Sequence, residues 1–424
     1  MDGETGQLVW SEIYSTDYNE RIVAAAADSE GNLYVVGRAF GTGFYDIIVQ
    51  KYAAENGVNL WSREFGGQSM LDDVGLDIAV DSQDRPVICG LVGTSLSDAD
   101  IVTMVYDPEM GTEIWRSHHA GAVYNIESLM GWIDVADNDD VIMASRTWSS
   151  DTGYDVVLTR YAALDGSVVW DEQWNSGGTM ADDPRAMMLD AAGDILVAGV
   201  MSGDYLVAKF DGADGQFIWN ATYAGPPDWY DVANCLTIGP DGTIVASGFS
   251  DGSGTGWDVA TVAFEPTNGA YLWDVRFDGY GESDEGRSVA VGPTGDVVVT
   301  GYCYSYDSGN DLLTVFYDAA TVSAVPGQIE VPMVAALTDA WPNPFNPRVN
   351  ISFALPNAGS ARLSVHDVRG REVAVLTDEQ LDQGAHTVSW DGRDGNGRPQ
   401  ASGLYFAVLQ TVDGRSSKKL TLTK

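Results

Sequence analysis

Apolar residues fall in short clusters separated by Gly-, Asp- and Asn-rich turns, and the arrangement repeats six times along the chain. One phrase recurs at 28–37 (DSEGNLYVVG), 81–90, 136–145, 190–199, 239–248 and 292–301, with spacings of 53, 55, 54, 49 and 53 residues. A second phrase ends in Trp10, Trp61, Trp115, Trp170, Trp219 and Trp273. A third sets an Asp six residues before an aromatic: Asp46/Tyr52, Asp100/Tyr106, Asp155/Tyr161, Asp204/Phe210, Asp258/Phe264 and Asp311/Tyr317. In the first copy these phrases predict strands over Ile22–Ala26, Leu33–Gly37, Asp46–Tyr52 and Val58–Ser62, punctuated by turns. The strands are almost continuously apolar rather than alternating, as in sheets covered on both faces. A fixed period marks a repeat architecture, and four-stranded units stacked face to face close into a propeller.

The last copy stops at Tyr317 with three strands, and residues 2–10 (DGETGQLVW) are one unattached fourth strand. The expected fold is all-β: a six-bladed β-propeller over 1–318, with the N-terminal strand closing the last blade. A linker over 319–340 follows, then a small β-sandwich over 341–424. In that last segment strands are expected at Asn350–Leu355, Ala361–Asp367, Glu372–Leu376, His386–Asp391, Leu404–Thr411 and Lys419–Thr423. The alternation Ile351/Phe353/Leu355 implies a half-buried antiparallel sheet, and the prolines at 342, 344 and 347 imply an extended lead-in.

The phrases KYAAENGVNLWSREFGG and AAAADSEGNLYVVGRA resemble the bacterial SBBP or PQQ-like propeller repeats, over about residues 2–318. The final segment carries PNPFNP…ISFALP, VHDVRGREVAVL, GAHTVSWDGRDGNGRPQASGLYFAVL and KKLTLTK. It is similar to the type A sorting domain of type IX secretion, and WDGRDGNGRPQASGLYF also resembles the Ig-like domain of the flagellar hook-capping protein FlgD. The resemblance implies an Ig-like fold, export through the type IX secretion machinery, and a secreted or outer-membrane-surface location. It also implies that Pro342, Asn343, Pro344, Phe345, Gly403, Lys418, Lys419 and Lys424 belong to the sorting signal.

Charge divides the chain as the repeats do. With 22 Lys+Arg and 62 Asp+Glu the formal charge is −40. Residues 341–424 hold 10 basic and 8 acidic groups (+2), so residues 1–340 hold 12 and 54 (−42). Such a surface repels nucleic acid and anionic lipid. No apolar run reaches the roughly 18 residues that a membrane-spanning helix needs. Cys89, Cys235 and Cys303 lie far apart in or beside apolar strands, and free thiols are expected.

Little in the sequence points to catalysis. His118 and His119 are placed in the crossing between the second and third copies, where adjacent residues cannot share one strand face. Gly248–Gly252 matches GxSxG but leaves a propeller strand without a following helix, so a nucleophile elbow is not expected. More informative is an acidic residue eight positions before the repeat phrase: Glu20, Asp73, Asp182, Asp231 and Asp284, with Ser128 breaking the series. Topology brings these to the same end of the blades as the Asp that opens each third strand. Two readings stand. The carboxylates brace their own blades by accepting backbone N–H groups, or they form a ring holding a cation such as calcium. Trp148, Trp229, Tyr230 and Trp257 break the repeat and are expected in loops at that acidic end, where aromatics beside carboxylates suit sugar stacking. The expected function is non-catalytic binding of a glycan, peptide or cation, with no bound cofactor required. A quinoprotein or polysaccharide-degrading enzyme, or a purely structural surface component, are the alternatives.

Overall fold

A computed structural model gives the structure of the 424-residue chain, describing all residues except 1–7, 17, 42, 68–70, 96–97, 120–130, 178–180, 226–229, 253–254, 280–281, 306–308, 320–335, 342, 344, 356–358, 382–383, 396, 412–413 and 424. It divides into two compact units, Met1–Ser323 and Ala324–Lys424.

The first unit is a β-propeller whose sheets follow the repeats. Sheet 1 contains β1 (Arg21–Ala27), β2 (Leu33–Phe40), β3 (Tyr45–Tyr52) and β4 (Asn59–Phe65). Sheet 2 contains β5 (Val74–Val80), β6 (Pro86–Ser95), β7 (Asp98–Tyr106) and β8 (Glu113–His119). Sheet 3 contains β9 (Trp132–Val135), β10 (Val141–Ser149), β11 (Gly153–Tyr161) and β12 (Val168–Trp174). Sheet 4 contains β13 (Asp182–Leu189), β14 (Ile195–Met201), β15 (Asp204–Phe210) and β16 (Phe217–Tyr223). Sheet 5 contains β17 (Asp231–Ile238), β18 (Ile244–Gly252), β19 (Gly256–Phe264) and β20 (Tyr271–Phe277). The last has β21 (Asp284–Val291), β22 (Val297–Ser305) and β23 (Gly309–Tyr317). Every sheet is an antiparallel meander in chain order. First strands pack on first strands: β1 on β5, β5 on β9, β9 on β13, β13 on β17 and β17 on β21.

The repeat tryptophans join neighbouring blades. Trp61 Nε1 donates to Pro108 O at 3.1 Å and Trp115 Nε1 to Ala163 O at 3.1 Å, each in the turn before the next blade's fourth strand. That turn ends in glycine for two reasons: Gly111 has φ +63°, and a Cβ there would lie 2.6 Å from the Trp61 ring. At the same end of the blades, Ser29 N and Oγ donate to Asp84 at 2.7 and 2.8 Å, and Ser82 N and Oγ donate to Asp139 at 2.9 and 2.8 Å. Asp84 and Asp139 sit at φ 61° and 66°, a region in which Asp is tolerated.

The two end sheets differ from the inner ones. Among the described residues no packing comparable to that of successive blades joins β21 to β1, and β23 has a strand partner on one side only. Leu312 and Phe316 on β23 are 99% and 63% exposed. The fourth strand expected from residues 2–10 lies mostly outside the described residues, and residues 8–10 belong to no strand. Trp10 nevertheless stands where a preceding blade's tryptophan would: its Nε1 donates to Ala54 O at 2.9 Å and its ring covers Gly57.

The second unit is a two-sheet sandwich. One sheet has the order β24–β25–β28 and the other β27–β26–β29–β30, with β24 (Ala336–Trp341), β25 (Val349–Leu355), β26 (Gly359–Asp367), β27 (Glu372–Leu381), β28 (Gly384–Trp390), β29 (Gly403–Thr411) and β30 (Gly414–Leu422). Ile351, Phe353, Leu363, Val365, Trp390 and Leu420 meet in its core. β24 begins inside the stretch expected to be linker, because its pairing with β25 extends the sheet backwards.

Candidate functional site

Asp182, Asp231 and Asp284 open the first strands of their blades, while Glu20 and Asp73 immediately precede β1 and β5. Asp182, Asp231 and Asp284 are 0% exposed and Asp73 is 1% exposed. Each of these four turns back on the loop that leads into its own blade. Asp73 accepts from Gly67 N and, at 2.9 Å, from Gly93 N. Asp182 accepts from Ser176 N at 2.7 Å and Ser176 Oγ at 2.9 Å. Asp231 accepts from Gly225 N at 3.1 Å and Asp284 from Gly279 N at 2.5 Å. These bonds are the bracing contacts that one of the two readings requires. Glu20 departs from the series: it is only half-buried and accepts from the nearby Thr16 hydroxyl.

The third-strand aspartates join this layer. Register puts Asp182, Met201 and Asp204 in one row across sheet 4, Asp231, Ser250 and Asp258 across sheet 5, and Asp284, Cys303 and Asp311 across the last sheet. Directly paired residues share a sheet face. Asp46, Asp155, Asp204 and Asp258 on the third strands lie near enough to Asp73, Asp182, Asp231 and Asp284 of the next blades for their charges to act on them. Burial pushes the Asp73, Asp182 and Asp231 carboxyls above the usual range, and the like charges of Asp46, Asp155 and Asp204 push the same way. Asp284 rises to about 7, first through desolvation and further through Asp278 and Asp258. The Oδ1 atoms of Asp231 and Asp284 have no hydrogen-bond partner among the described residues. No group of three or more His, Cys, Asp or Glu among the described residues is arranged to hold a metal ion. The five acidic candidates are distributed one per blade rather than gathered at a common centre.

What offsets this charge varies by blade. Asp155 accepts from Thr152 Oγ1 at 2.8 Å, Gln173 Nε2 at 2.7 Å and Asn175 Nδ2 at 2.5 Å. Asp258 is met by Arg276, whose Nη2 lies 3.1 Å from Oδ2 and also donates to Ser250 O at 2.9 Å and Asp251 O at 2.6 Å. Arg276 Nη1 donates to Ser250 Oγ at 2.9 Å. Gln173 and Arg276 each follow the repeat tryptophan by three residues. That offset was visible in the sequence, and its role was not, because the residue type there changes from copy to copy.

The aromatic candidates correct one expectation. Trp148 lies in β10 opposite Tyr154, and Trp257 lies in β19 opposite Asp251, not in loops. Both hairpins run on to Gly153 and Gly256, so β10 and β18 extend four residues past the repeat phrase, to Ser149 and Gly252. Tyr230, exposed just before β17, packs 6.0 Å from Phe249, which stacks on Trp257 at 4.4 Å. Phe249 was not among the expected residues. Trp148 belongs to another blade, and Trp229 lies outside the described residues.

His118 and His119 lie within β8 rather than in a crossing, and His119 Nδ1 is 3.8 Å from Asp171. Ser250 of the GxSxG phrase is buried inside β18. The three cysteines are free. In the sandwich unit, Asn343 Nδ2 donates to Lys419 O at 2.7 Å and Thr421 N donates to Asn343 Oδ1 at 2.7 Å. Phe345 is buried and exchanges backbone bonds of 2.9 Å with Thr421 and Thr423. Asn343 and Phe345 are thus paired with the terminal strand, distant in sequence. Gly403 opens β29, and Lys418 and Lys419 lie in β30 opposite Ala407 and Phe406. Pro342, Pro344 and Lys424 lie outside the described residues.

Comparison with known proteins gives two family matches. Residues 93–261 match the family described as outer membrane protein assembly factor BamB, a PQQ-like repeat family. Residues 345–414 match the FlgD Ig-like domain. No curated protein matches the chain. Among solved structures, PorZ of Porphyromonas gingivalis is 15% identical over 95% of this chain, with a TM-score of 0.37, and the chain spans 51% of its length. BamB of Moraxella catarrhalis is 15% identical over 82% of this chain and 83% of its own, with a TM-score of 0.39. Sqt1 of Saccharomyces cerevisiae is 11% identical over 96% and 97%, with a TM-score of 0.48. Among the described residues no helix is long and apolar enough to cross a membrane.

Proposed function

We propose that the chain is a surface- or secretion-associated binding protein, with the propeller as ligand-binding scaffold and the C-terminal sandwich as a type IX sorting domain. The observation that carries the binding half is the end of blade 5. There the exposed Tyr230, the stacked Phe249–Trp257 pair and the carboxylates of Asp251 and Asp258 stand on adjoining strand ends. Aromatic faces beside fixed acceptors favour a glycan, a peptide or a cation. The sorting half is supported by the FlgD Ig-like match and by Asn343 being stapled to the lysine-bearing last strand.

We also propose that six sheets close into a ring, with residues 2–10 pairing beside β23. Trp10 in the slot of a preceding blade's tryptophan supports this, as does a last sheet of three strands among the described residues. Closure would cover the faces bearing Leu312, Phe316, Ile22 and Val23.

Two assays test the function. The propeller unit is applied to a glycan array and titrated with calcium, with Tyr230→Ala/Trp257→Ala and Asp258→Asn/Asp284→Asn as controls. A ligand lost in either double variant is expected, and no ligand in either assay contradicts the binding role. A reporter fused to residues 341–424 is expected at the cell surface only in hosts with type IX machinery, and to stay inside when Lys418–Lys424 are removed.

A further inference from the structure

Blade 2 has an opening where blade 5 has an arginine. The registers correspond: Val92 pairs with Asp100 as Ser250 pairs with Asp258, and Val102 pairs with His118 as Ala260 pairs with Arg276. His118 therefore holds the position of Arg276, three residues after the repeat tryptophan. In blade 5 the guanidinium fills that place, bonding the Ser250 hydroxyl and carbonyl, the Asp251 carbonyl and the Asp258 carboxylate. Among the described residues the shorter His118 makes no such bonds, and Val92 replaces the hydroxyl. What remains is a groove of about 470 Å³, lined by Phe65, Val92, Thr94, Asp100, Arg116 and His118 with Gly66, Gly67 and Gly93 between them. Close packing fixes Gly67 in its wall, since a Cβ there would run into Val92.

We propose that this groove binds a guanidinium group, such as an arginine side chain of a peptide partner, in the position that Arg276 occupies in blade 5. The Asp100 carboxylate and the Val92 carbonyl are the counterparts of the acceptors Arg276 uses, and a planar fork matches them better than a point charge does. Arg116, the cation already present, lies 4.6 Å over the Phe65 ring and 3.5 Å from Glu113, so its charge is matched locally. The −42 balance of residues 1–340 draws cationic ligands toward the propeller. The proposal rests on the propeller being a binding module and is independent of how the chain is exported.

The test is calorimetric titration of the full chain with N-acetyl-arginine amide. Saturable binding is expected, at least tenfold tighter than for N-acetyl-lysine amide. Asp100→Asn should weaken it tenfold or more. His118→Arg should abolish it by supplying the guanidinium internally, with the melting temperature unchanged or raised, which separates loss of the site from loss of folding. No saturable binding, or binding untouched in both variants, would overturn the proposal. Glycan or calcium binding lost in the Tyr230/Trp257 or Asp258/Asp284 variants, without arginine binding here, would leave the blade-end reading standing and remove this groove from it.

Discussion

The inner blades and the last blade are built from one repeated phrase, yet they meet different surroundings. In sheet 4 every residue from Ile195 to Val200 is buried, because neighbours cover both faces. In the last sheet the equivalent strand alternates, with Thr300 exposed between buried Val299 and half-buried Gly301, and on β23 Leu312 is open to solvent. The apolar run therefore encodes readiness to be covered, and a neighbour must supply the cover. The tryptophans make the same point. Trp61, Trp115 and Trp219 are buried against the next blade's turn; Trp170 and Trp273 are half-buried, and among the described residues Trp273 meets no such turn.

Four measurements sharpen this contrast. Trp115→Ala should lower unfolding free energy by about 3–5 kcal/mol, and Trp273→Ala by less than half as much, read by urea denaturation. Equal losses would mean that the end blade is covered like the others. Next, Leu312→Asp should cost about 2 kcal/mol if residues 2–10 and blade 1 close over it, against the few tenths typical of an exposed site. Asp84→Ala removes two bonds to Ser29 and places Ala at φ 61°, so a loss of about 1–2 kcal/mol is expected. An unchanged midpoint would show that this tie between blades 1 and 2 is idle.

The smallest effect is on pH dependence. The folded carboxyl of Asp284 is raised to about 7 and that of Asp77 to about 6, both chiefly by desolvation, against about 3.9 in an unfolded chain. The folded state binds the extra protons, so their stabilising contribution is complete below about pH 4 and is lost as pH rises through 6 and 7. The melting temperature should fall by a few degrees between pH 5 and 8, and less steeply in Asp284→Asn. An identical slope in the variant would remove Asp284 as the source.

Much of this fold was legible because the repeat states it six times. The tight turns, the tryptophan at each junction and the Asp–aromatic offset all serve the same role in successive blades. That Asp73, Asp182, Asp231 and Asp284 bond to the loops leading into their own blades was legible too, since such bonding is a local matter. Trp148 and Trp257 were misplaced because a hairpin's length depends on pairing across the sheet, which the repeat phrase does not include. Arg276 over Asp258, and the gap left by His118, escaped notice because they depend on contact between side chains from different strands. The pairing of Asn343 with the last strand spans 78 residues and has no periodic signal.

The claim beneath all of this is that the sheets form a closed ring, and amide hydrogen exchange along Gly309–Tyr317 addresses it most directly. A ring closed by residues 2–10 predicts protection on both edges of that strand, equal to that of Gly256–Phe264 in blade 5. Rapid exchange of alternate amides, the mark of an unpaired edge, would contradict closure.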